Sequence, residues 1–226
     1  MARSFGPQLF RFLRDLEENN NREWFNQNKD RYEEHVREPT LQFVADVAPG
    51  LRKLSKRLVA DPKPVSGSMF RIHRDTRFSK DKTPYKTHVG VHFFHESRTE
   101  GAPVIYFHLQ PGECFSIAGI HAPPTAQARE VRAAIAGDPA GWKRVSRGGQ
   151  VPDRFSIGEH GRLQRVPPEY KDSPVADDLR LKEFMLSTRL TQKEVTADGF
   201  VDWYLHLMRP ALPFLRFVGK AVGVEV

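Results

Sequence analysis

Six lysines and arginines against two aspartates crowd the sixteen residues from Arg71 to Lys86, supplying +4 of the chain's net +7. Side chains of an extended chain alternate faces, with same-face neighbours about 7 Å apart. Arg71, His73, Asp75 and Arg77 then form one continuous polar row, opposite Phe70, Ile72, Thr76 and Phe78. Planar guanidinium groups at that spacing suit two-point capture of phosphate or carboxylate, and Asp75 between two arginines would orient them. Arg74 falls on the apolar side. An unpaired buried charge is costly, so Arg74 calls for a carboxylate partner, expected from a helix or from the loop after Gly148.

The next stretch repeats the pattern. Lys86, His88, Gly90 and His92 share one face, and Tyr85, Thr87, Val89, Val91 and Phe93 the other. Paired antiparallel, the two would make one polar surface, which Tyr106 and His108 of a third strand would extend. Gly90 has no side chain, so a ligand or another backbone can come close there. The candidate catalytic residues are His73, Asp75 and His88: histidine titrates in the useful range, and a neighbouring carboxylate orients it. The candidate ligand-binding residues are Arg71, Arg77, Lys80, Lys82, Tyr85 and Lys86.

Several simpler motifs fail on geometry. On a strand His88 and His92 stand about 13 Å apart, too far to share one ion, so no metal site is expected. Ser79-Lys80-Asp81-Lys82 matches the S-x-x-K spacing of serine–lysine acylases. That chemistry needs a helical turn, which Thr83-Pro84 opposes. No phosphate-binding glycine loop occurs, and no cofactor is implied. Cys114 reads as a core thiol; Trp24, Phe25 and Tyr32 read as core aromatics at helical spacing.

The elements that must position these residues are legible from periodicity. Leu9, Phe12, Leu13 and Leu16 form one helical stripe. Asn19-Asn20-Asn21 ends that helix and caps a second one, which should stop before Pro39. A third helix is expected over Thr40 to Leu58, kinked or broken at Pro49-Gly50. After the loop Asp61–Gly67 the period changes, and four strands are expected at about 69–78, 86–95, 103–110 and 113–121, the last two joined by the turn Gln110-Pro111-Gly112-Glu113. Pro123-Pro124 opens a helix holding Ala128, Val131, Ile135 and Trp142. An excursion rich in glycine, proline and charge follows between Gly148 and Pro174, either irregular throughout or holding one small hairpin. A late strand over Leu181–Leu190 and a helix over Asp198–Gly219, kinked at Pro210 and Pro213, complete the chain. Grouped strands with helices at both ends predict an α+β fold built on a mainly antiparallel sheet of four or more strands.

At 226 residues the length suits a single domain spanning 1–226. A lone cysteine excludes an internal disulfide and points to a reducing, cytoplasmic setting. Neither a leader peptide nor an 18-residue apolar run is visible, so no membrane partner is expected.

Three blocks of this sequence resemble a bacterial and fungal family labelled domain of unknown function 2461. They are Asn19–Phe25 with Lys29, Arg31 and Tyr32; Arg71–Lys86; and Gln110–Glu113 with Gly119. The resemblance runs over nearly the whole chain and loosens between about 166 and 184, where Glu169 replaces an expected glycine. It brings no activity with it. It does imply that Asn21, Arg22, Trp24 and Lys29 belong with the charged segment, so Arg22 joins the ligand-binding candidates.

The leading functional expectation is a basic sheet face that binds an anionic, phosphate-bearing ligand, either a small molecule or a nucleic acid. The alternatives are an enzyme acting on such a ligand and an interaction scaffold without a ligand site.

Overall fold

The structure is a computed structural model describing residues 4–148, 151–158 and 161–226. Among these, six antiparallel strands form one sheet in the order β1-β2-β3-β4-β6-β5: β1 Leu58–Val59, β2 Val89–His95, β3 Val104–Gln110, β4 Glu113–Ile120, β5 Phe155–Ile157 and β6 Phe184–Leu190. The helices include α1 Pro7–Glu18, α2 Arg22–Gln27, α3 Lys29–Tyr32 and α4 Glu38–Leu54 before the sheet. After β4 come α5 Thr125–Gly137 and α6 Pro139–Arg147, and after β6 come α7 Gln192–Val195, α8 Phe200–Met208 and α9 Leu212–Ala221. The architecture is α+β.

One sheet face is the core. Val91 pairs with Phe107, Phe107 with Ser116, and Ser116 with Thr188, and all four are buried. Helices cover this face. Phe5, Phe43, Phe107 and Phe200 meet there with ring centroids 5.1–6.1 Å apart, a spacing at which aromatic pairs attract beyond their area burial. Tyr204 places its hydroxyl 2.9 Å from Ser116 Oγ, so this buried polar pair is satisfied. Alternation sends Gly90, His92, Tyr106, His108, Phe115, Ile117 and Met185 to the opposite face, which no helix described here covers.

Local chemistry explains several element boundaries. Asn21 caps α2 by accepting from Trp24 N–H at 2.9 Å. Pro111 and Gly112 (φ 79°) make the β3–β4 turn, where proline presets one central position and glycine supplies the positive φ of the next. Asp138 divides the expected Ala128–Trp142 helix into α5 and α6 and caps the second through Gly141 N–H at 2.8 Å.

Three expectations are corrected, and one that was open is decided. Pro39 does not end its helix. A π-turn over Glu33–Arg37 widens the backbone just ahead of it, so the chain stays helical from Lys29 to Leu54, with Pro49 inside α4; the wider turn accommodates the missing N–H and bulky ring. The excursion after Gly148 contains a short edge strand, β5. The helix expected over Asp198–Gly219 is two, α8 and α9, joined by a 3-10 turn at Arg209–Ala211. The largest correction is that 69–78 is not a strand. Only isolated bridges, Met69 to Val91 and His73 to Tyr85, tie it to its neighbour.

Candidate functional site

The reason for that correction also builds the site. Residues 68–74 do run antiparallel to 84–92: His92 N–H donates to Ser68 O, Phe70 N–H to Gly90 O, Lys86 N–H to Ile72 O and Arg74 N–H to Pro84 O, at 2.8–2.9 Å. Between Phe70–Gly90 and Ile72–Lys86 one side advances two residues and the other four. Thr87 and His88 are the surplus, a bulge that interrupts the ladder and re-aims side chains. It delays β2 to Val89 and lays Phe70 over the sheet, its ring 4.6 Å from His92 and 6.1 Å from Tyr106. Gly90 is needed beneath it. A Cβ there would stand 3.0 Å from the Phe70 ring and 2.9 Å from the Tyr106 hydroxyl.

The segment is anchored by the helical layer. Asn20 donates to Tyr85 O at 3.0 Å and accepts from Tyr85 N–H at 3.1 Å. Phe25 stacks on the Tyr85 ring at 4.1 Å. The asparagine run therefore does more than stop α1: it fixes the residue next to Lys86.

Over the open face lies a cleft of about 640 Å³. Its walls include Phe70, Tyr106, Phe115, Ile117 and Met185, with Lys86 and His88 on the β2 side and His121 and Glu183 at the β6 side. His108 lies between the rings of His88 and Phe115, each 4.5 Å away. With Gln110 Oε1 accepting from Nε2 at 3.2 Å, His108 Nδ1 is free to accept from the Tyr106 hydroxyl at 2.9 Å. Burial, with the positive potential of His108, Lys86 and Arg74, pushes His88 down to about 4. Burial also lowers His92 and His108 and raises Tyr106 to about 12. All four are therefore neutral near pH 7. Lys86 is the one lysine or arginine among the lining residues. Its Nζ sits 5.4 Å from the Phe70 ring centre and donates to Arg71 O at 2.9 Å. Burial, aided by Arg71, lowers its pKa.

The remaining sequence candidates lie elsewhere. Arg71, His73, Asp75 and Arg77 point to solvent as a row, but not over the sheet. Asp75 and Arg77 bind each other at 2.6 and 3.0 Å, and Arg77 holds the Asp75 carboxyl below its ordinary range. Arg74 turns inward as expected, yet its partners are Asp81 and Thr83 of the same segment, so no carboxylate from a helix or from beyond Gly148 is involved. The segment's return toward Tyr85 brings Asp81 close before any distant group. Lys80 and Lys82 are exposed, with Lys82 Nζ donating to Thr76 O at 2.9 Å. Arg22, His73 and Tyr85 do meet, beside Asn26 and Arg74, around a smaller cleft of about 310 Å³. The start of α2 thus borders part of the charged segment, in a cleft separate from Lys86 and His88.

His121, Glu183, Phe115, Ile117 and Met185 were not singled out from the sequence. Alternation along 113–121 puts Phe115, Ile117, Gly119 and His121 on one face, so three of those five had a readable signal. Glu183 and Met185 needed the β4–β6 register. Cys114 is buried as expected, and burial raises its thiol pKa, which works against nucleophilic use. Among the described residues no group of three or more His, Cys, Asp or Glu is arranged to hold a metal ion. No helix of the described residues is long and apolar enough to cross a membrane.

The fold and site together define an α+β protein whose antiparallel sheet is helix-covered on one face and carries a histidine-rich cleft on the other. Residues 8–217 match the family model described as conserved hypothetical protein (DUF2461), and the chain belongs to that family. No curated protein and no solved structure matches it.

Proposed function

We propose that the open-face cleft binds a small, elongated anion with a planar or apolar body, its phosphate or carboxylate group held by Lys86. The observation that carries this reading is the single ammonium group at one end of a largely aromatic surface, beside neutral histidines and away from Glu183 at the β6 side. A few placed polar groups on an apolar concave lining are the usual make-up of small-molecule sites. Partial burial strengthens the attraction between Lys86 and an anion relative to open water. Neutral histidines offer flat faces for stacking without competing for the anion. Calorimetry with biphenyl-4-carboxylate, biphenyl-4-phosphate and uncharged biphenyl-4-methanol tests it. Both anions are expected to bind at least tenfold tighter than the alcohol, and Lys86→Met to erase that difference. Equal affinity for all three overturns the reading.

A second reading, nucleic acid on the segment 74–83, is favoured by one observation. Phe78 is 96% exposed and lies beside Arg77, whose guanidinium carbon is 5.8 Å from its ring centre, with Lys80 and Lys82 close in sequence. An exposed ring flanked by cations stacks bases and follows a phosphate backbone. Single-stranded oligonucleotides should then bind with a steep salt dependence, reduced together with affinity by Phe78→Ala and by Lys80→Ala/Lys82→Ala.

A further inference from the structure

The β6 end of the cleft carries a second constellation. The β4–β6 register runs from Cys114 opposite Leu190 to Ile120 opposite Phe184. One step further sets His121 across from Glu183, both on the open face and both lining the cleft. His121 Nδ1 is 3.0 Å from Glu183 Oε1, and the same oxygen accepts the Ala122 N–H at 3.3 Å. Ala122 has φ 45°, the left-handed region that residues other than glycine enter at a cost and that recurs where function demands it. The other oxygen, Glu183 Oε2, is shielded from solvent and has no hydrogen-bond partner. The Glu183 side chain is 15% exposed and the His121 side chain 72%.

A shielded carboxylate oxygen without a partner and a strained alanine both cost stability. What they achieve is orientation. An ionised carboxylate only accepts, so Nδ1 must carry the imidazole proton, and Nε2 of the neutral ring keeps its lone pair. A histidine held this way, with its free nitrogen open to solvent, is arranged to take a proton from water.

Resting on the reading of the cleft as a small-anion site, we propose that His121 is its general base, positioned by Glu183, and that the ligand is a carboxylic ester with its anionic group at Lys86 and its acyl carbon beside His121. The two ends fit that division. Lys86 lies ahead of β2 and His121 beyond the end of β4, which the register sets at opposite ends of the sheet as well as on different strands, and this calls for an elongated molecule. A phosphoryl group at the β6 end would meet the Glu183 carboxylate and be repelled, whereas an ester carbon is uncharged. In the step, Nε2 takes a proton from water as the water oxygen bonds to the acyl carbon. The tetrahedral adduct then breaks its bond to the alkoxide, which takes the proton back from Nε2. The products are a carboxylic acid and an alcohol.

Two measurements test this. Imidazole ¹⁵N spectra at pH 8 should show His121 with its proton on Nδ1, the Nε2–H form becoming the majority in Glu183→Ala and the Nδ1–H form persisting in Glu183→Gln, whose amide oxygen still accepts. A parent His121 protonated on Nε2 overturns the proposal. The second is release of p-nitrophenol from the mono-p-nitrophenyl ester of biphenyl-4,4′-dicarboxylic acid and from its uncharged analogue, p-nitrophenyl biphenyl-4-carboxylate. His121→Gln should hydrolyse both at least tenfold more slowly than the parent while melting at the same temperature, and Lys86→Met should lose the preference for the acidic ester. Hydrolysis by His121→Gln at the parental rate sinks the base assignment. If Lys86→Met still weakens biphenyl-4-carboxylate in that case, the cleft reading survives alone; if it does not, both fall.

Discussion

The cleft and the charged segment 74–83 hold their cations under opposite conditions. Around the segment, the Asp75–Arg77 pair and most of the charge face water, where Coulomb attraction is weak and screened. In the cleft a single ammonium sits half-buried against aromatic rings, and burial has moved the pKa values of the groups around it. The contrast teaches that density of charge along a sequence is a poor guide to where charge matters. A few groups withdrawn from water outweigh many left in it.

The sharpest way to break this comparison is at the root the two regions share. Asn20 holds both backbone groups of Tyr85, the residue between the segment and Lys86. Asn20→Ala leaves a buried donor and acceptor unpaired and is expected to cost about 2–3 kcal/mol by chemical denaturation, with loss of anion binding in the cleft. A loss of binding without destabilisation would show that Asn20 contacts ligand directly.

Acid should distinguish the regions next. The folded pKa of His88, about 4, lies below its ordinary 6.5, so between those values the unfolded chain binds more protons. The stability from keeping this ring neutral is complete above pH 6.5 and is lost as pH falls towards 4. Allowing for solvent screening of a partly exposed ring, the loss is about 1–2 kcal/mol. His88→Gln should flatten melting temperature against pH in that window. On the segment Arg77 holds the Asp75 carboxyl below its ordinary range, so its contribution is lost only in more acidic solution than the window in which His88 acts.

Lys86→Met should reduce affinity for aromatic carboxylates about tenfold, worth about 1.4 kcal/mol, whereas Lys80→Ala leaves it unchanged by calorimetry. The smallest effect belongs to the exposed pair. Asp75→Asn and Arg77→Gln should each leave the melting temperature within error of the parent. A clear drop in either would mean that the segment is held more rigidly than an exposed ion pair can hold it.

Much of the fold was legible because its signals are local. The stripe Leu9–Leu16, the cap at Asn21, the Pro111-Gly112 turn and the alternation along 103–121 each state a backbone preference within a few residues. The failures share one cause. Pro39 and the stretch 69–78 carry local patterns of the ordinary kind, a helix stop and an alternating strand, but each is overridden by an irregularity placed elsewhere: the π-turn at Glu33–Arg37 and the bulge at Thr87-His88. Of the candidate site, the sequence pointed to Lys86 and His88, which line the cleft, and to Arg71 and Arg77, which do not. Alternation records that two side chains share a face without recording what covers that face.

The sequence by itself determined composition, period and punctuation: an α+β chain with a lone buried thiol, a basic segment from Arg71 to Lys86, and strands with one apolar face. Tertiary structure alone decided which cations leave water and which residues distant in the chain become neighbours. Glu183 meets His121 only through the β4–β6 register, and Asn20 meets Tyr85 only when the helical layer closes on the sheet. Electrostatic strength depends on burial and distance, and both are properties of the packed chain.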